Sequence, residues 1–336
     1  MTVMMEFDID IILSDLGFNN YSSHGKASIK ILNGIAPINK ATERQLAFCS
    51  SEGEEAILSV SRSKAGVILC KNSMEGIVFS RSDRLQRLIF VDHPRLAAMR
   101  IIKSLYQKEP LVGISYRAVI SKNAKIGKDC YIGDFSVIGD ACEIGNNTVI
   151  YQNVSILQNS KIGSKCVIQP GTVIGADGFA YERDNQTLDL EAFPHIAGVT
   201  IGDNVHISSN CSIARGSLAD TVIGNGTKLD ALVHIAHNVE IGRNCELTAG
   251  TIIGGSTTIG DVCWLGLNCT LKNKIRIGNK VIVGCGAAVI HDIPDEDIVG
   301  GVPAKSIKDK ITSNTKQLFL MAGQKKQQEQ KQNIIL

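Results

Sequence analysis

From residue 114 an isoleucine stands at every sixth position: Ile114, Ile120, Ile126, Ile132, Ile138, Ile144, Ile150, Ile156, Ile162, Ile168 and Ile174. The frame breaks over 178–198 and returns at Ile201, Ile207 and Ile213. A short insertion around Ser217–Thr221 shifts it again. It then runs through Ile223, Leu229, Ile235, Ile241, Leu247, Ile253, Ile259, Leu265, Leu271, Ile277, Val283 and Val289. A six-residue period fits neither the 3.6-residue helix nor the two-residue strand over any length. It fits a coil of three short strands, each sending one large side chain inward. Four residues after the aliphatic the side chain is mostly small, as at Ala124, Ser136, Thr148, Thr172, Thr227, Thr251 and Thr257. A large and a small residue then share one narrow interior. The residue after the aliphatic is often glycine (Gly127, Gly133, Gly139, Gly145, Gly163, Gly242). That position reads as a turn needing permissive backbone angles. The pattern predicts a parallel β-helix over 109–302.

Residues 1–108 lack the period. Short apolar runs at Ala56–Val60, Gly66–Leu69 and Leu88–Val91 mix with a helical pattern over Pro94–Tyr106, where Leu96, Met99, Ile102, Lys103 and Tyr106 recur at helical spacing. These features predict a small α/β domain. Past Val302 the chain turns polar and Gln-rich, with Leu318, Leu320 and Met321, and 303–336 reads as a helical extension. A β-helix exposes unpaired backbone at each end, so both flanking segments also read as caps.

Composition narrows the function. Thirty-five basic residues nearly cancel thirty-three acidic ones, and aromatics make up 5%. This argues against a globally basic nucleic-acid binder and a base-stacking platform. Seven of the ten cysteines (Cys130, Cys142, Cys166, Cys211, Cys245, Cys263, Cys269) fall on the small inward position and read as packed thiols. No C-x-x-C pair occurs, so no metal is expected. No run approaches the ~20 apolar residues of a membrane span. Acidic Glu6, Asp8 and Asp10 stand where a signal peptide carries basic and apolar regions, so a cytoplasmic location is expected.

The β-helix alone names no activity. His206, His234 and His237 take outward positions, and His195 lies in the excursion at 178–198. In an 18-residue coil Gly255 lies one strand spacing, about 4.8 Å, from His237. A backbone N–H beside an imidazole can serve acyl transfer as oxyanion donor and general base. The residues leave a solvated turn histidine open as well. They also leave open a zinc site of the carbonic anhydrase type, which the spacing of the three histidines fits poorly.

The stretches Gly175-Ala-Asp-Gly-Phe-Ala-Tyr181, Arg215-Gly-Ser-Leu-Ala-Asp-Thr-Val-Ile-Gly-Asn-Gly226 and Ile235-Ala-His-Asn238 resemble the UDP-3-O-(3-hydroxyacyl)glucosamine N-acyltransferases of lipid A biosynthesis. The resemblance extends over nearly the whole chain. It implies a left-handed coil, a uridine-binding-type N-terminal domain and a homotrimer with active sites between subunits. It implies no cofactor, an acyl carrier protein bringing a 3-hydroxyacyl chain, and a UDP-amino-sugar acceptor. His237 matches the family's base and Gly255 its oxyanion donor, and the substrate contacts fall on Phe48, Asp177, Phe179 and Lys274. The chain departs from the family at Ala214, where an acidic residue is usual, and at Lys274, where a histidine is usual. It departs again at Ser51 and Glu54 in the uracil pocket. An acetyl-CoA-dependent amino-sugar N-acetyltransferase and an altered paralogue acting as a binding protein are the competing readings. Seven lysines against two acidic residues over 305–336 would favour an acidic carrier protein.

Overall fold

The computed structural model describes residues 6–18, 21–25, 28–77, 86–106 and 109–308. The chain divides into two compact units, Met1–Pro110 and Leu111–Leu336.

The first unit holds a four-stranded sheet in the order Ser22–Gly25, Arg87–Val91, Val67–Lys71, Leu46–Phe48, the first pair antiparallel and the others parallel. Among the described residues three α-helices accompany it: α1 (Ile9–Asp15), α2 (Gly53–Arg62) and α3 (Pro94–Leu105). Asp8 caps α1 by accepting the Asp10 N–H at 2.9 Å. Of the three apolar runs, two are strands, whereas Ala56–Val60 lies in α2 and buries Ala56 and Val60. In α3 the helical spacing is correct but the buried face is Pro94, Ala97, Ala98 and Ile101. The larger Leu96, Met99, Ile102 and Tyr106 are exposed. Alanine lets the helix lie close on the sheet, so the small residues take the core. Arg87, 5% exposed, makes a two-pronged pair with Asp10 at 2.7 and 3.0 Å. That hydrogen bond, against the opposing effect of burial, holds the Asp10 carboxyl below its ordinary value.

The second unit is a left-handed parallel β-helix. Its strands stack into three sheets. Face one runs from Gly113–Ile114 through Tyr131–Ile132 and Lys228–Leu229 to Ile298–Gly300. Face two runs from Val119–Ile120 through His234–Ile235 and Ile252–Ile253 to Ala288–Val289. Face three runs from Lys125–Ile126 to Arg276–Ile277. Ile132 pairs with Ile150 and Ile150 with Ile168, one 18-residue coil apart. The frame residues are buried from Ile132 onward, but Ile114 in the first coil is 52% exposed. Among the described residues no helix is long and apolar enough to cross a membrane.

Gly175 after the aliphatic adopts positive φ (87°) as expected, but most glycines at this position serve a different purpose. Gly127, Gly145, Gly163, Gly224, Gly242 and Gly260 do not adopt positive φ. A Cβ on Gly242 would meet the Gly260 carbonyl carbon at 2.6 Å, and one on Gly145 the Gly163 carbon at 2.5 Å. Close approach of successive corners, rather than backbone angle, excludes a side chain. Positive φ falls two residues later, at Asn147, Asn153, Asn159, Asn210, Asn238 and Asn244, where asparagine tolerates it well.

Where the small inward residue is serine, threonine or cysteine it carries a donor, while Val154, Val205 and Val233 fill the same position without one. Ser136 Oγ donates to the Tyr151 carbonyl at 2.7 Å, and Thr148 Oγ1 to Gly163 at 2.8 Å. The Cys142 and Cys245 thiols donate to Leu157 and Gly260 at 3.1 Å. The cysteines are therefore more than small apolar fillers, since they occupy the same bond as Ser and Thr. Burial pushes Cys166, Cys211 and Cys269 up to about 11, keeping the proton on sulfur.

Two interruptions matter for the site. The excursion makes an antiparallel hairpin, Tyr181–Arg183 with Leu190–Ala192, before the coil resumes. The next coil, pairing Ile201 with Ile223, is four residues longer than the repeat. At the C-terminal end Lys305–Ser306 folds back antiparallel on Ile298–Gly300, so the extension begins as a strand rather than a helix. The helix expected further along lies in 309–336, outside the described residues.

Gly242→Ala tests the close-approach argument. It should cost about 1–3 kcal/mol through overpacking, read as a lower midpoint in chemical denaturation followed by Trp264 fluorescence. A curve superimposable on the native one would remove the argument.

Candidate active site

The corner following face two assembles a cleft of about 280 Å³. Asp177 and Phe179 from the excursion, His237, Gly255 and Lys274 all line it, with Ala214, His234 and Ser256. Five of the six residues singled out in the sequence thus share one cleft. Phe48 does not: it belongs to the first unit and packs partly buried on that unit's core. Near it Glu52 holds Lys71 at 3.0 Å, while Glu54 is exposed in the first turn of α2.

His237 follows the strand His234–Ile235 and lies against Gly255. A Cβ at Gly255 would meet His237 Nε2 at 2.8 Å, so only glycine lets the imidazole sit there. The corner N–H groups after face two, at Asp140, Gln158, His237, Gly255 and Asn273, have no acceptor among the described residues, and of these residues Gly255 is the buried one. At the corner after face three the equivalent N–H is capped by an Asx side chain of the next coil. Lys128 N–H donates to Asn146 Oδ1 at 2.8 Å, Arg243 to Asp261 at 2.7 Å and Asp261 to Asn279 at 2.9 Å. Gly255 is buried, yet its N–H has no acceptor among the described residues. A buried donor without a partner is uncommon and is available to a ligand oxygen.

Asn238 determines which nitrogen of His237 carries the proton. Its Nδ2 donates to the Ala219 carbonyl at 2.8 Å, and its Oδ1 accepts from the Ser217 N–H at 3.1 Å and from Ser217 Oγ at 2.8 Å. Oδ1 is therefore the acceptor facing His237 Nδ1 at 3.1 Å. The proton sits on Nδ1, and Nε2 keeps its lone pair toward the cleft. Ser217 and Ala219 belong to the longer coil. The insertion that reads in the sequence as a frame shift builds this clamp.

Arg215, 3% exposed, donates through Nε to the Gly175 carbonyl at 2.8 Å and through Nη2 to Gln158 at 2.6 Å. Its charge faces Asp177 at 3.8 Å. Ala214, buried beside it, takes the place where an acidic residue is usual, and Asp177 supplies the counter-charge from the excursion.

Two histidines given no catalytic role from the sequence join the site or its border. His234 projects from face two between Ser212 and Ile252 and lines the cleft. Desolvation pushes its imidazole below the ordinary value. His195 returns from the excursion to stack edge-on to His237, with ring centroids 5.4 Å apart. His206 stands on face one, so it does not converge with His234 and His237 as a zinc site would require.

Comparisons with known proteins agree with this architecture. Residues 220–255 match the bacterial transferase hexapeptide family (six repeats). Residues 193–215 and 256–290 match the hexapeptide repeat of succinyl-transferase, and 114–179 the GMPPB C-terminal domain. UDP-3-O-acylglucosamine N-acyltransferases of Methylorubrum populi and Methylorubrum extorquens are 39% and 38% identical over 147 residues. The match spans 44% of this chain and 41% of the length of each relative. Among solved structures, the UDP-N-acetylglucosamine O-acyltransferase of Moraxella catarrhalis is similar at 25% identity and a TM-score of 0.51, over 63% of this chain and 86% of that one. The Francisella novicida UDP-N-acetylglucosamine acyltransferase is similar at 27% and 0.53, over 62% and 77%.

The Asn238 clamp is open to direct measurement. In histidine-labelled protein, two-bond proton–nitrogen spectra should show His237 as the Nδ1–H tautomer, and Asn238→Ala should shift it toward Nε2–H. A native Nε2–H form would refute the clamp. The chain is a hexapeptide-repeat β-helix, similar over 147 residues to UDP-3-O-acylglucosamine N-acyltransferases and in fold to a UDP-N-acetylglucosamine O-acyltransferase.

Proposed function

We propose that the protein is an N-acyltransferase acting on a UDP-linked amino sugar in lipid A biosynthesis, with a 3-hydroxyacyl chain delivered by acyl carrier protein in the cytoplasm. The observation that carries this reading is the pairing of a free His237 Nε2 with the open Gly255 N–H across one coil step. The acceptor amine attacks the thioester carbonyl carbon and passes its proton to His237 Nε2. The carbonyl oxygen becomes an oxyanion and takes the Gly255 N–H. Collapse expels the thiolate, and the imidazolium returns the proton to it. The activated thioester already carries a good leaving group, so the two protein groups suffice. Lys274 at the cleft rim supplies positive charge for the phosphate-bearing acceptor, and Asp177 and Phe179 border the sugar. The similarity to the Methylorubrum enzymes supports the substrate class.

The proposal includes a homotrimer, which the faces of the β-helix support. Face three carries a solvated charge ladder, with Lys125 and Glu143 at 3.0 Å and Lys161 beyond. Faces one and two turn Tyr131, Val149, Val167 and Trp264, and Val119, Val137, Val173 and Ile252 outward, with His206, Lys228 and Glu246 between Val167 and Trp264 on face one. A chain with apolar stretches on two faces and a charge ladder on the third is suited to sit between two copies of itself. A monomeric mass in solution at micromolar concentration would contradict it.

The decisive experiment is an acyl-transfer assay with carrier proteins loaded with chains of different length, and with acetyl-CoA, against UDP-linked amino sugars. His237→Ala should lower kcat by about 10²-fold with little change in KM, and His237→Gln similarly, since glutamine cannot take the proton. Lys274→Ala should chiefly raise KM for the acceptor. Near-native turnover in His237→Ala would place the base elsewhere.

A further inference from the structure

His195 presents a feature the proposed reaction leaves unused. Its Nε2 is buried and has no hydrogen-bond partner. A carbon ring would pack in the same volume without stranding a polar atom, so the nitrogen carries a cost unless it serves something. Its neighbour is the candidate base. The two rings meet at 72° with centroids 5.4 Å apart. Gly178 shows how closely they approach. One point beside its Cα, where a Cβ would stand, is 2.7 Å from His195 Nε2, 2.7 Å from His237 Cβ and 2.9 Å from His237 Cδ2. His195 Nε2 and the Cβ–Cδ2 edge of His237 thus border the same small space beside Gly178, while His237 Nδ1 is committed to Asn238. The chain following His195 is anchored on the same element that holds Asn238: the Ile196 and Ala197 N–H groups donate to the Ser217 carbonyl at 2.9 and 3.2 Å.

We propose that His195 is a positioning residue whose Nε2 lone pair steadies the His237 ring when it holds the transferred proton. The inference rests on the reading of His237 as the base. An imidazolium spreads positive charge onto its ring C–H groups, and a lone pair against the Cδ2 edge attracts that charge. In the resting neutral ring the attraction is weak, so the contact acts on the transition state more than on substrate binding. Ser217 then organises both supports of His237, Asn238 on one side and the His195 segment on the other.

Three substitutions separate this role from plain packing. His195→Phe keeps a ring and removes the nitrogen, His195→Gln keeps a polar acceptor, and His195→Ala removes both. In the acyl-transfer assay His195→Phe should lower kcat about tenfold with KM unchanged, the usual worth of a polar contact to a charged group. His195→Gln should recover most of it. Full kcat in His195→Phe would overturn the inference, because packing alone would then account for the residue. The His237→Ala control distinguishes the two failures. If His237→Ala is inactive while His195→Phe is fully active, only the role of His195 falls. If His237→Ala remains active, the base assignment falls and this inference with it. A second readout needs no substrate: histidine nitrogen spectra, assigned by difference with His195→Gln, should show His195 as the Nδ1–H tautomer. An Nε2–H form would leave no lone pair to act and would also overturn the proposal.

Discussion

The stacking of one coil on the next, a strand spacing of about 4.8 Å apart, governs the second unit. Each residue has a neighbour one coil above and one below, so a side chain at a corner must fit against backbone on both sides. At the corner after face three that constraint removes the Cβ after the aliphatic, where Gly145, Gly163 and Gly242 stand. It places a donor at the small inward position, where serine, threonine and cysteine all reach a carbonyl of the next coil. It also caps the corner N–H groups after face three with an Asx ladder. The solenoid is a set of bonds repeated coil after coil, and its stability is the sum of near-identical interfaces.

The candidate site lies where this repetition is interrupted. The corner after face two does not carry the Asx ladder, and at buried Gly255 this leaves a donor open. The excursion brings Asp177, Phe179 and His195 to that same corner. The longer coil supplies Ser217 and Ala219 to hold Asn238. Rigid coils above and below fix His237 and Gly255, and the two interruptions add what the repeat cannot: polar groups at unique positions. Such a division suits a site whose chemistry needs few groups held in good register.

The charge arrangement around Arg215 shows how the site accommodates a change. A buried guanidinium needs acceptors whatever residue precedes it. Two backbone carbonyls and Asp177 provide them, and the position before it is free to be alanine. The floor of the cleft becomes smaller and less polar at Ala214 without stranding the cation.

Much of this was legible in the residues. The six-residue period, the inward cysteines and the coil step from His237 to Gly255 follow from spacing alone, because a solenoid converts sequence distance directly into spatial distance. Three things were not. The role of the glycines was hidden because a close approach and a positive φ both select glycine, and only coordinates separate them. The buried face of α3 was hidden because alanines, not the larger Leu96 and Met99, meet the sheet, and spacing does not say which stripe is covered. His195 was hidden because it lies in a segment that leaves the repeat. Within the coil a position eighteen residues on is a neighbour, but across the excursion sequence separation no longer measures distance. Tertiary structure alone could return that histidine to the side of His237.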